Sequence, residues 1–379
     1  MTRVLKERTF SGTTNPEAAS WENEHRQIAR EAADEGIVLL KNEDQILPLK
    51  PGSAVAVYGA GAGRTIKGGT GSGDVNENIS IWQGLKNAGY QITNEDWISS
   101  YDQIYEKARQ DWKNDINARA SQTGGDVMDF FTVYSTTPFI MPTGDPVKVP
   151  KADESTDTAI YVLSRVAGEG ADRNADKGDY YLKDDEHQMV ADLCKYYKNV
   201  IIVINAGGQV DLSFMDEFSN IKALLVIVQP GMEGGNAFAD VISGKVNPSG
   251  KLVDSWAYKY EDYPSAATFS HNNGNVEKEF YEEGLYVGYR YFDTFGIPVR
   301  YSECVNKKRT DKSSEGFHVC KEYWCCCWKG SCTGICFLTW WLHGKRGTSS
   351  DRICKNRTVT ARRGTEHHAG NPGRMLNLL

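Results

Sequence analysis

At 379 residues the chain is long enough for one large domain or two ordinary ones, and it can bury a core. Its 43 Lys and Arg residues against 50 Asp and Glu residues leave a net charge of −7, which argues against binding to nucleic acid or to an acidic membrane surface. The composition changes at Tyr301: eight of the nine cysteines follow it, and basic residues there outnumber acidic ones by 14 to 6. Two different kinds of sequence are therefore joined near residue 300.

Nothing in the sequence predicts export or membrane insertion. The N-terminus has no apolar run of signal-peptide length, and the longest apolar stretch, residues 223–228, is too short to span a bilayer. Cys194 is the only cysteine before Tyr301, which is typical of a reducing compartment. We therefore expect a soluble cytoplasmic protein.

Before residue 300, helical patterns alternate with short apolar runs. Helices are predicted over residues 24–41, 79–88, 102–120, 184–197 and 233–243, and strands over residues 54–58, 158–163, 200–205 and 222–228. Strands separated by helical segments form a mainly parallel sheet that is covered on both faces. The fold class is therefore α/β, and ligands of such sheets bind beyond the carboxyl ends of the strands.

The segment from Gly59 to Asp74, after the first predicted strand, is rich in glycine and suggests a dinucleotide or phosphate cradle. The G-x-G-x-x-G spacing fails because the third glycine, Gly63, comes one residue early and Arg64 takes the required place, and there is no P-loop G-K-[ST]. Glycines here would still let backbone amides approach a ligand closely. The alternative is a flexible surface loop.

A second segment places Glu169 between two glycines, shortly after the strand at residues 158–163. Arg165, Asp172 and Arg173 lie near enough to set its pKa and orientation. Such a glutamate suits a general acid/base. The alternatives are a solvated loop residue and, for Asp172 with Arg173, a structural ion pair.

Other motifs have structural interpretations. Residues 230–236 are typical of a turn that starts a helix, residues 247–251 of a turn, and residues 184–186 of an acidic helix start. A group of aromatic residues either stacks on sugar rings or, as we expect, packs against the sheet: Tyr281, Tyr286, Tyr289, Tyr291 and Phe292.

Six of these motifs, in this order, resemble the second domain of family 3 glycoside hydrolases, the β-glucosidase and β-xylosidase group. The matching segments are EAADEGIVLLKN (31–42) with LPL (47–49), GGTGSG (68–73), GEGADR (168–173), PGMEGG (230–235), NPSGKL (247–252) and YEEGLYVGYRYF (281–292). The resemblance implies a six-stranded α/β sandwich over residues 28–300, preceded by an N-terminal arm at 1–27. The loops of this sandwich close over the active site of a separate (β/α)8 barrel.

The resemblance also implies roles for individual residues. Glu169 carries over as the catalytic acid/base, and no metal or organic cofactor is implied. The residues expected to contact a β-glucoside or oligosaccharide substrate are Lys67, Thr70, Gly71, Ser72, Asp74 and Arg165. The nucleophile of the family is an aspartate on the barrel, for which we find no counterpart here. Some members carry the sandwich first, so we expect the barrel downstream and little or no turnover by this chain alone.

The last segment, residues 301–379, departs from the family, which continues with a fibronectin-like domain. Codons for residues 323–332, read one base later, permit Thr-Gly-Val-Val-Ala-Gly-Lys-Glu-Val-Val, which resembles the opening strands of that domain. We therefore hypothesise out-of-frame translation, and we expect a disordered tail because such a sequence has not been selected to fold.

The leading interpretation is thus a retaining exo-β-glycosidase of the β-glucosidase type, represented by its acid/base-bearing domain. A non-catalytic carbohydrate-binding or assembly module is the alternative, and binding of β-glucosides without hydrolysis would favour it. A nucleotide-binding domain is disfavoured by the glycine spacing, and protection by NAD or ATP on heating would favour it.

Overall fold

A computed structural model of the protein describes residues 18–68, 78–137, 139–142, 155–166, 172–271, 273–278 and 280–302. Several predicted features lie outside these ranges. They are the acid/base Glu169, the loop residues Thr70, Gly71, Ser72 and Asp74, and the cysteine-rich segment from residue 303 onward.

The described elements alternate between helix and strand through most of the chain. The helices are α1 (Ser20–Gly36), α2 (Ile81–Asn87), α3 (Glu95–Thr123), α4 (Val127–Thr136), α5 (Asp184–Tyr196), α6 (Gly234–Ile242) and α7 (Tyr289–Phe295). The strands are β1 (Val38–Asn42), β2 (Ala54–Tyr58), β3 (Gln91–Ile92), β4 (Thr158–Arg165), β5 (Asn199–Ala206), β6 (Ile221–Val226), β7 (Trp256–Ala257) and β8 (Val299–Tyr301). Helix α1 begins within the range predicted as an N-terminal arm.

Six strands form one sheet in the order β1-β6-β5-β4-β2-β3. Strands β2 to β6 run parallel, whereas β1 pairs antiparallel with β6. Strands β7 and β8 form a separate antiparallel pair. The predicted six-stranded, mainly parallel α/β sheet is confirmed.

Apolar side chains on both faces of the central strands explain why helices cover both faces of the sheet. Every residue of β4 is buried, and so are all residues of β5 after Asn199. Helix α6 packs against both α1 and α2. Elsewhere the Tyr58 ring at the end of β2 contacts Trp97 of α3 and Tyr197, which follows α5. A strand buried on both sides shows this continuous apolar pattern rather than alternation.

The helix predicted over residues 24–41 was wrong at its C-terminal end. Helix α1 stops at Gly36, and Val38 starts the edge strand β1, whose register pairs Val38 with Val226. The apolar run from Ile37 to Leu40 continues the helical pattern in sequence. Its pairing with β6 outweighs that periodicity, as tertiary contacts often do.

Candidate active site at the carboxyl edge of the sheet

The order of the strands places a topological switch point between β2 and β4, at their carboxyl ends. After β2 the chain moves to β3 on one side, and it then returns to place β4 on the other side of β2. The loops that follow β2 and β4 therefore leave the sheet in opposite directions, which is where open α/β sheets bind ligands. The glycine-rich loop follows β2, and the segment that contains Glu169 follows β4.

The first glycines after β2 are required by the sheet itself. Gly59 has φ +94°, and a Cβ on it would overlap the backbone of Val162 in β4. A Cβ on Gly61 would overlap Ser164 Oγ. These two glycines therefore allow close approach to a neighbouring strand, and the dinucleotide-like start of the segment has a packing explanation.

Asn205, fully buried at the end of β5, joins the loops of three neighbouring strands. Its Oδ1 accepts hydrogen bonds from the Ile66 N–H at 2.6 Å and from Ser164 Oγ at 2.9 Å. Its Nδ2 donates to the carbonyls of Ile66 at 2.8 Å and Val228 at 2.7 Å. Val228 has φ +44°, a strained conformation for a β-branched residue that surrounding contacts must hold. All four hydrogen-bonding positions of the Asn205 amide are aimed at this edge.

Arg165 lies at the end of β4 and makes a buried ion pair with Glu186 of α5. Its Nη1 donates to Glu186 Oε1 at 2.7 Å and its Nη2 to Oε2 at 2.6 Å, the two-pronged geometry that an arginine makes with a carboxylate. Nη1 and Nε also donate to the carbonyls of Ser164 and Asp179, both at 2.9 Å. The guanidinium predicted to contact substrate is thus directed at the protein's own backbone and at Glu186.

Arg173 and Asp179 fix the chain that returns from the Glu169 segment. Arg173 Nε donates to Asp179 Oδ1 at 2.6 Å, and its Nη1 donates to the carbonyl of Gln209 at 2.6 Å. The N–H of Asn174 donates to Asp179 Oδ2 at 2.6 Å. The structure therefore pairs Arg173 with Asp179, where the sequence suggested Asp172 as a partner. Both ends of the Glu169 segment are anchored, one through Arg165 and one through Arg173.

Lys67, a predicted substrate contact, is half-buried near the end of the described part of the glycine-rich loop. Its carbonyl accepts a hydrogen bond from the N–H of Gly231 at 2.9 Å, which ties the loop to the turn after β6. Nearby, Arg64 donates to Asp102 of α3 at 2.8 Å and lies 2.7 Å from Glu106. The structure thus brings Lys67 and Arg165 to the same edge of the sheet.

Sequence reasoning missed Asn205, Glu186 and Asp179 as organising residues. Asn205 left one signal, a polar residue directly after the apolar run of β5. Glu186 was interpreted only as part of an acidic helix start, and its partner lies 21 residues earlier in the chain.

In the described ranges, no group of three or more His, Cys, Asp and Glu side chains is placed to hold a metal ion. The helices that the structure describes include none long and apolar enough to cross a membrane.

The doubly covered parallel sheet with anchored loops at its switch point defines an α/β domain built to hold a ligand at its carboxyl edge. Residues 37–289 match the model of the family described as Glycosyl hydrolase family 3 C-terminal domain. The chain belongs to this family.

Curated relatives and solved structures agree. The chain is 35% identical over 305 residues to β-glucosidase A of Butyrivibrio fibrisolvens, covering 74% of this chain and 34% of that one. It is 36% identical over 279 residues to a β-glucosidase of Ruminococcus albus, covering 72% and 27%. The structure of β-glucosidase 3B from Thermotoga neapolitana in complex with glucose matches with a TM-score of 0.58 and 34% identity, over 74% of this chain and 37% of that one. The chain spans about a third of the length of the curated relatives it matches.

Proposed function

We propose that this chain is the acid/base-bearing part of a retaining exo-β-glycosidase of the β-glucosidase type, which hydrolyses terminal β-D-glucosyl residues. The observation that carries the proposal is the anchoring of the two loops around the switch point. Asn205 holds the glycine-rich loop at Ile66 and the end of β4 at Ser164, one residue before Arg165. A catalytic group on the β4 loop and sugar contacts on the β2 loop would then act across one crevice.

In the proposed reaction, Glu169 protonates the glycosidic oxygen of the leaving group and then, as a carboxylate, activates the water that releases the sugar. The partner carboxylate is the nucleophile that forms the covalent glycosyl-enzyme. In retaining enzymes the two carboxyl groups lie about 5–5.5 Å apart. The family resemblance assigns the nucleophile to an aspartate on the companion barrel, so we expect this chain alone to turn over little or no substrate.

Lys67, Thr70, Gly71, Ser72 and Asp74 are proposed to wall the sugar subsite from the glycine-rich loop. We assign Arg165 a positioning role for the Glu169 segment instead of a sugar contact. The reason is that all three nitrogens of its guanidinium donate to Glu186 or to backbone carbonyls.

The test combines this chain with the remaining two thirds of the Butyrivibrio fibrisolvens enzyme by co-expression. We expect hydrolysis of aryl β-glucosides by the combination and none by this chain alone. Glu169→Gln should slow substrates with poor leaving groups by roughly 100-fold or more and activated aryl glucosides much less, because only poor leaving groups need protonation.

Glu24→Gln, on α1, is the matched control and should leave both rates unchanged. The comparison uses kcat/KM, which reports the step in which the leaving group departs, because loss of the base slows the later hydrolysis of the glycosyl-enzyme equally for both substrates. Equal losses of kcat/KM for both substrate types in Glu169→Gln would contradict the acid/base role. Binding of glucosides without any hydrolysis by the combination would favour a carbohydrate-binding module.

A further inference from the structure

Helix α3 leaves the sheet at the edge where the candidate site lies. Asn94, just before its first turn, exchanges two hydrogen bonds with the backbone of Val57 in β2, at 2.8 and 2.7 Å. Further along the helix, Asp102 and Glu106 bind Arg64, which lies beyond the carboxyl end of β2. Successive turns of α3 therefore meet positions progressively further past the end of the strand.

The distal part of α3 and all of α4, residues 107–136, form a helical hairpin with a core of its own. Helix α3 runs on to Thr123, which at about 1.5 Å per residue carries it about 25 Å beyond Glu106. Ile116, Ala120 and Val133 form a buried cluster separate from the main core, and Trp112 packs against it. The α3–α4 hairpin therefore stands out from the sandwich beyond its carboxyl edge.

One face of α4 is apolar and exposed. The exposed residues are Val127 (81%), Met128 (67%), Phe130 (42%), Phe131 (60%) and Tyr134 (44%). The rings of Phe130 and Tyr134 adjoin, with centroids 6.1 Å apart and planes at 21°. Adjoining exposed apolar residues of this size mark an interaction surface.

We propose that the α3–α4 hairpin is a docking arm for the companion nucleophile-bearing domain, which covers the apolar face of α4. The inference rests on the proposed function. If the two catalytic carboxyl groups lie about 5–5.5 Å apart, the companion domain must sit over the carboxyl edge of this sheet. An arm that extends about 25 Å beyond Glu106, on the far side of that edge, then runs along the flank of the companion domain. A small sugar bound at the edge does not span that distance, whereas a folded domain does, and about two thirds of each curated relative lies outside the match.

The test measures association separately from hydrolysis. The full chain is co-expressed with the part of Butyrivibrio fibrisolvens β-glucosidase A outside the matched segment, and the dissociation constant of the purified pair is measured by biolayer interferometry. Phe131→Ser and Val127→Ser should each weaken association at least tenfold. Ile28→Ser, at 57% exposure on α1, is the control for Phe131 at 60% and should bind as the unaltered chain does. Circular dichroism checks that each variant is folded.

Association that is unchanged in both hairpin variants, or no association at all, would overturn the proposal. A dimer of this chain alone that Phe131→Ser dissociates would overturn it in favour of a second copy as the occupant. Hairpin-dependent association without hydrolysis would leave the docking arm standing and contradict the proposed function. Hydrolysis that is insensitive to the hairpin variants would support the proposed function and contradict the docking arm.

Discussion

Two buried groups of charges in this protein are built in opposite ways. At the end of β4, Arg165 and Glu186 are 7% and 2% exposed, and they bind each other through two hydrogen bonds and neighbouring carbonyls through others. Between α1 and α6, Asp240 binds Arg30 at 2.7 Å, whereas the buried Oδ1 of Asp34 has no hydrogen-bond partner within the described part of the chain.

The comparison separates an ion pair that holds the backbone beside the candidate site, Arg165 with Glu186, from Asp34, whose burial lowers the stability of the fold when its carboxyl is charged. Both groups remove carboxylates from water, which is favourable only where hydrogen bonds replace the lost hydration. The bonds of Arg165 end on the chain that flanks the candidate site. Burial, together with the charge of Asp240, raises the pKa of Asp34 to about 7. Below that pH this carboxyl is neutralised by a proton, whereas Glu186 is neutralised by the guanidinium of Arg165.

The largest expected effect is at the fully bonded pair. Glu186→Gln leaves the guanidinium of Arg165 buried without a counter-charge, and we expect the free energy of unfolding to fall by about 3–5 kcal/mol. Urea unfolding at pH 7 measures the change. A loss below about 1 kcal/mol would mean that the pair is not the anchor the geometry indicates.

A variant of Asn205 tests whether the carboxyl edge of the sheet depends on the Asn205 amide as well as on the Arg165–Glu186 ion pair. Asn205→Ala leaves the N–H of Ile66 and the carbonyl of Val228 without their side-chain partner, and we expect a loss of about 2–4 kcal/mol. Hydrogen exchange of the Ile66 amide should also become faster.

Asn220 is the matched control for Asn205. Its amide donates to the carbonyls of Cys194 and Tyr197, both at 2.8 Å, at the opposite edge of the sheet. Asn220→Ala should leave the exchange of Ile66 unchanged. Faster Ile66 exchange in both variants would indicate general loosening of the sheet.

Asp34 should give a smaller effect that depends on pH. Its folded pKa of about 7 lies above the ordinary value of 3.8, so between these values the folded state holds a proton that the unfolded chain releases. Stability therefore falls as pH rises from about 4 to about 7. Asp34→Asn should raise the free energy of unfolding by about 1–2 kcal/mol at pH 8 and change it little at pH 4.

Thermal unfolding at both pH values checks this prediction. Asp115→Asn, on the exposed face of α3, is the control and should show no such pH dependence. A stabilisation by Asp34→Asn that is equal at pH 4 and pH 8 would contradict the assignment to proton uptake.

The smallest effect is expected where charges are exposed. Lys177 and Asp184 form an ion pair at 2.6 Å on the surface, with side-chain exposures of 65% and 88%. Asp184→Asn should change the free energy of unfolding by no more than about 0.5 kcal/mol. Urea unfolding of this variant beside Glu186→Gln compares an exposed and a buried ion pair, and similar losses would remove the distinction between them.

Sequence reasoning succeeded where one strong local signal was enough. The apolar runs at β2, β4, β5 and β6 predicted the parallel sheet, because strands buried on both faces leave no other pattern. The sequence predicted helix at strand β1 because the residues of β1 continue the apolar pattern of α1, and its pairing with β6 depends on a segment far away in the chain. Strand β3, with two residues, is too short to leave a pattern.

The candidate site was predicted less completely for the same reason. The motifs pointed to the carboxyl edge, where Lys67 and Arg165 do lie. The partner of Arg165 depends on α5 folding back beside β4, and the bonds of Asn205 depend on three strands meeting. Such contacts between distant segments cannot be obtained from spacing along one segment. The roles of Glu169 and of the sugar-contacting residues stay predictions.

The close approach of the glycine-rich loop to β4 has a consequence for engineering. Gly59 and Gly61 meet β4 without room for a side chain, and Asn205 grips the loop at Ile66. A library meant to alter substrate preference should therefore keep residues 59–66 constant and begin its diversity at Lys67. Variation within residues 59–66 would disturb these contacts and produce misfolded clones.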